Sequence, residues 1–181
     1  SVVLFIPQDP VVRPGTLARA QALGKPGEQH RMLARLAGSW DIVVRTTPPG
    51  GEERTERGTV VGRAILDGRY VVLNYKFILS GNAIEGVQIY GFDNLNQEFT
   101  SSWRDDHSTW SVECGGSVDA EVPERIQMRG ILRDARDPTG RPFRLALTLP
   151  PEGGDKVVAS MHDTMDGREF LLQTQEWTRR Q

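Results

Sequence analysis

The hydrophobic rhythm of the chain changes at Trp40, from a repeat of three to four residues to a repeat of two, and the second rhythm persists to the end. Upstream, Glu28 to Ala37 sets Met32, Leu33 and Leu36 on one helical face, with Gly38 as the stop. Downstream, Trp40, Ile42 and Val44 alternate with Asp41 and Arg45 until Pro48-Pro49-Gly50-Gly51 forces a turn. The pattern recurs in Arg57 to Leu66, Tyr70 to Leu79, Ile84 to Phe92, Phe99 to Trp103 and Thr109 to Cys114. It then returns in Arg125 to Arg133, Phe143 to Leu149, Lys156 to His162 and Phe170 to Trp177. Turn formers separate these runs, among them Asp67-Gly68, Ser80-Gly81-Asn82, Pro138-Thr139-Gly140 and Asp166-Gly167. Many short strands at near-regular spacing predict a mainly β, single antiparallel meander of about ten strands, closed into a barrel or folded into a sandwich. Closure is the favoured form because it removes exposed strand edges. A barrel of that size has room inside for side chains or one small ligand.

A chain of 181 residues suits one domain and can bury a sizeable core. The helix and barrel are expected over residues 27–181, behind an arm over residues 1–26. The arm is broken by Pro10, Pro14, Gly15, Gly24 and Pro26, which leaves space for one short helix, Thr16 to Leu23, with Thr16 as its N-cap. Ser1 to Pro7 reads either as the remnant of a trimmed signal peptide or as a strand packed on the domain. A net charge of −2, with 22 basic and 24 acidic side chains scattered among each other, offers no footprint for nucleic acid. No apolar run approaches the roughly 20 residues that span a bilayer. The single cysteine, Cys114, precludes an intrachain disulfide and has no adjacent base to activate it.

Gly38-Ser39-Trp40, placed between a short helix and the first strand, resembles the Gly-x-Trp signature of lipocalins and their calycin relatives. The resemblance implies that Trp40 closes one barrel end beneath an arginine from the last strand, a part that Arg179 could play. Leu36 to Trp40, Leu66 to Tyr70, Glu85 to Asn94 and Ser101 to Asp105 are similar, in that order, to segments of a widespread bacterial lipocalin-like family of the domain of unknown function 1579 type. It covers about residues 28 to 179 and implies a calycin-like barrel. The polar, proline-containing arm is similar to the one that follows the secretion signal in that family, so an exported protein, periplasmic or secreted, is expected in preference to a cytoplasmic one. The family supplies no agreed activity.

Motifs for chemistry are few. His30, His107 and His162 show no metal-ligand spacing, and each reads as a hydrogen-bonded surface or rim histidine, so no metal is expected. Gly-x-Ser-x-Gly and phosphate-binding loops are absent, and no cofactor is expected. Asp105-Asp106-His107-Ser108 lies between runs that carry Trp103 and Trp110. It reads either as turn chemistry or as polar groups beside aromatic walls, where a desolvated carboxylate would acquire a raised pKa. Glu85, on the face of Val87 and Ile89, is either an exposed acid or an interior one paired with Arg129, Lys76 or Tyr75. Met128, Met161, Phe143, Leu145, Leu147, Phe170 and Leu172 read as core that could double as a cavity wall.

Three functions fit these features. One is binding of a small, largely apolar molecule, with Tyr75, Tyr90, Trp103 and Trp110 as walls and Glu85, His107 and Arg129 as polar contacts. A second is a cofactor-free lyase or isomerase in which His107, Glu85 or Asp105 moves a proton. The third is an assembly module, a homo-oligomer that swaps its arm between protomers.

Overall fold

The computed structural model describes residues 15–181, so the reading of Ser1 to Pro7 and of the start of the arm lies outside the described residues. Two short helices come first, α1 (Thr16–Leu23) and α2 (Glu28–Ala34). Ten strands follow: β1 (Gly38–Thr46), β2 (Arg54–Ile65), β3 (Tyr70–Leu79), β4 (Asn82–Asp93) and β5 (Glu98–Asp105), then β6 (Val112–Val118), β7 (Arg125–Leu132), β8 (Arg141–Thr148), β9 (Lys156–Met165) and β10 (Arg168–Arg179). Each pairs antiparallel with its sequence neighbours, and β1 closes the ring on β10, with Trp40 opposite Arg179 and Ile42 opposite Trp177. The barrel form of the meander is therefore the one adopted, and no strand of the sheet is left with a free edge.

Local chemistry shifts some boundaries. Gly15, at φ 91°, is the cap of α1, and Thr16 is the first helical residue rather than the N-cap. Helix α2 stops at Ala34, because the amides of Arg35, Leu36 and Ala37 tighten to carbonyls three residues back. Strand β6 begins at Val112, not Thr109. The Asp105 carboxylate captures the His107 amide and the Ser108 hydroxyl, so the chain folds into a loop that carries Trp110.

The two ends of the barrel differ. At the end where β1 starts, Leu33 and Leu36 of the α2 segment pack on Trp40, Ile42, Val60 and Trp177, all essentially inaccessible. Trp40 donates its indole N–H to the Leu36 carbonyl at 3.0 Å. The Arg179 guanidinium lies 4.1 Å from the Trp40 ring and donates to the carbonyls of Ala37 and Arg35. This end is plugged. Arg69 and Asn94, in the turns of the same end, hold the carbonyls of Gly24, Leu23 and Lys25, which ties down the link between the helices. His30 is a correction to the expected surface or rim histidine: it is only 5% exposed. Its Nδ1 accepts the Gly27 amide, and its ring meets Phe92 edge-on.

Candidate functional site

Alternation carries side chains inward along every strand, but the opposite half of the barrel is not filled by them. A cavity of about 590 Å³ remains there, within the range of small-molecule sites. Its mouth lies between the turns β3–β4, β5–β6 and β7–β8, at Ser80, Asn82, His107, Trp110 and Arg133. A more open depression of about 670 Å³ lies outside the barrel at the same end, between Thr47–Gly51 and the β9–β10 hairpin, where Phe170 contributes to the wall.

One side of the cavity is aromatic. Tyr75 and Phe77 project from β3, and Trp103 projects from β5 with its ring 5.2 Å from that of Tyr75, edge to face. Gly86, opposite Asp105 in the register, gives the indole its space, since a Cβ there would stand 2.2 Å from it. Trp103 is fixed by an indole N–H bond to the Asp105 carboxylate at 2.8 Å. The facing side is polar: Gln173 and Gln175 of β10 bond to each other, and Gln175 also accepts the Trp177 indole N–H. Below the mouth, the buried Gln88 carboxamide donates to Ser101, which lies beside Tyr90 and Cys114. Phe143, Leu145 and Met161 complete an apolar flank, so part of the expected core also forms the wall.

Of the residues singled out in the sequence, Tyr75, Tyr90, Trp103, Asp105, His107 and Trp110 converge on this cavity. Glu85 and Arg129 do not. Glu85 points outward, 2.8 Å from Lys76, with both side chains more than 60% exposed. Arg129 likewise stands on the outer surface. In β4 it is Ile84, Gly86, Gln88 and Tyr90 that face inward, so the apolar Val87 and Ile89 beside Glu85 belong to the outer face.

Asp105 carries a further correction. Burial pushes its carboxyl upward, but the Trp103 indole, the His107 amide and the Ser108 hydroxyl outweigh that and hold it below the usual carboxylate range. It is an ionised anchor, not a raised-pKa acid. His107 sits at the rim, half exposed, with Nε2 2.9 Å from the Ala83 carbonyl. Burial pushes the Cys114 thiol up to about 11. At the mouth, Arg141 makes a two-point ion pair with Asp163 and bonds to Asp134, and Arg136 bonds to Asp134 as well. Among the described residues, no group of three or more His, Cys, Asp or Glu side chains could hold a metal ion, and no helix is long and apolar enough to cross a membrane.

Gln88, Ser101, Gln173 and Gln175 were missed in the sequence, although the signal was present. Gln88 is in phase with buried Tyr90, and Gln173 and Gln175 are in phase with buried Trp177. A polar residue on an inward register position is a cavity signal in a barrel, since a filled interior would leave it without water or a partner.

Fold and site together define a closed ten-stranded barrel, plugged at one end and hollow at the other. Residues 25–179 match the model of a family described as protein of unknown function (DUF1579), and the chain belongs to that family. Among solved structures, it is similar to the crystal structure of Rv2717c from M. tuberculosis, with a TM-score of 0.58 and 13% identity over 87% of this chain and 100% of that one. At that identity the likeness is one of fold. No curated protein matches the chain.

Proposed function

We propose that the protein binds one small, largely apolar molecule in the open half of the barrel, as lipocalin-like barrels suit. The observation that carries this reading is the 590 Å³ interior cavity itself, walled by Tyr75, Phe77 and Trp103 and reached through a mouth at His107 and Trp110. A filled barrel would gain packing energy, whereas an unfilled apolar interior forgoes it and is retained where something else occupies the space. Mostly apolar walls with a few oriented polar groups match the general composition of small-molecule sites. Proton-transfer chemistry draws less support, because the Asp105 carboxylate is already taken by the Trp103 indole, the His107 amide and the Ser108 hydroxyl, and Glu85 faces outward; His107 is the one named group left at the cavity.

The test is a titration with N-phenyl-1-naphthylamine, an uncharged dye that brightens in apolar surroundings. The wild type is expected to bind one equivalent saturably, and Ala159→Phe, which projects a ring into the cavity from β9, is expected to lose that binding. Met161→Trp provides a second filled variant in case the first disturbs folding. Equal binding by wild type and filled variants would remove the proposal.

A further inference from the structure

We propose that the part of the ligand that reaches below the mouth is flat and uncharged, and presents a hydrogen-bond donor and acceptor side by side, as a phenol, lactam or aryl amide does. This rests on the binding role proposed above and specifies what that cavity accepts.

Among the described residues, every carboxylate on the cavity wall is already engaged. Asp105 is taken by an indole, an amide and a hydroxyl, and Asp134 by Arg136 and Arg141. Among the described residues, Arg133 is the one arginine on the wall, it stands exposed at the mouth, and no lysine lines the cavity. A charged group carried below the mouth would lose its water without gaining a counter-ion, a cost that few contacts offset.

Two polar groups, by contrast, have capacity to spare. Gln88 and Tyr75 are 8% and 4% exposed and both line the cavity. The Gln88 N–H goes to Ser101, which leaves its carbonyl oxygen without a donor among the described residues. Neither that oxygen nor the Tyr75 hydroxyl is among the fully enclosed polar atoms without a partner, so what remains exposed on each faces the cavity. One offers an acceptor and the other a hydroxyl. They flank Trp103, which is opposite Gln88 in the register and edge-to-face with Tyr75. The rings around them suit a planar partner.

The experiment is competition against N-phenyl-1-naphthylamine at pH 7 by 2-naphthol, naphthalene-2-carboxylate and 2-methylnaphthalene, which share one ring system. The expected result is that the naphthol displaces the dye at roughly ten-fold lower concentration than the carboxylate. Tyr75→Phe and Gln88→Leu should each weaken the naphthol by about 5- to 10-fold and leave the methyl compound within about two-fold. A carboxylate that competes as well as the naphthol overturns the inference, as does a naphthol indifferent to both substitutions. If the dye itself fails to bind the wild type, the binding role falls and this inference with it; a preference for the carboxylate removes the inference alone.

Discussion

Arg179 holds the plugged end through three kinds of contact at once: a stack on Trp40, two short bonds to the Ala37 and Arg35 carbonyls, and a longer one to Gly154. Gly38 makes the approach possible, since a Cβ there would lie 2.4 Å from the guanidinium, and its φ of 123° disfavours any side chain. Arg179→Ala leaves those carbonyls without a donor and should cost about 2–3 kcal/mol, read by urea denaturation. Gly86→Ala acts at the other end by driving a methyl into the Trp103 ring. Its expected signature is a shift in tryptophan emission together with weakened dye binding, at a stability cost of about 1–3 kcal/mol. Cys114 calls for a different measurement. With its thiol pushed up to about 11, it should resist iodoacetamide at pH 8 in the native protein and react once the chain is unfolded in urea. Rapid native alkylation would contradict the burial assigned to it.

Among the elements, the β7–β8 connection depends most on polar contacts. Asp163 on β9 is buried and grips Arg141 at the start of β8, and Arg141 in turn holds Asp134 in the loop. Asp163→Ala would leave the guanidinium with half its partners in a nearly closed site. The expected loss is about 3–5 kcal/mol, with the loop at the cavity mouth loosened. A change within about 0.5 kcal/mol would show the pair to be incidental. The strands themselves were legible in the sequence because turn formers and period-two runs coincide. The β5–β6 region was less so, since Thr109 and Trp110 read as strand until the Asp105 carboxylate is seen to fold the loop. Which face of a strand points inward was the weakest point. Val87 and Ile89 around Glu85 imitate a core face, and only cross-strand pairing, with Lys76 opposite Glu85, reveals them as outer. The aromatic wall could be named from its residues alone. The carboxamide side could not, because Gln173 and Gln175 acquire meaning only from the register that Trp177 sets.

Over the whole molecule, buried titratable groups set a pH window. Burial lowers His30 and His162 below the usual 6.5, so the unfolded chain takes up protons first as pH falls and stability declines through that value. Asp134, held far below the carboxylate range by Arg136 and Arg141, adds a further loss below about pH 4. Burial raises Cys114, Tyr75 and Tyr90, so the fold favours their protonated forms and stability falls as pH climbs from 9.0 towards 11 through the Cys114 step. Urea midpoints should therefore be highest between about pH 7 and 9, and a midpoint that keeps rising beyond pH 10 would contradict this. The same asymmetry of plugged and hollow ends allows the four tryptophans to report on binding, since Trp103 and Trp110 line the cavity and Trp40 lies at the plug. The most direct test is a titration of indole-¹⁵N-labelled protein with N-phenyl-1-naphthylamine, followed by NMR. Shifts of the Trp103 and Trp110 indole resonances with Trp40 unmoved are predicted. A Trp40 signal that moves while Trp103 stays fixed would contradict a binding site in the open half of the barrel.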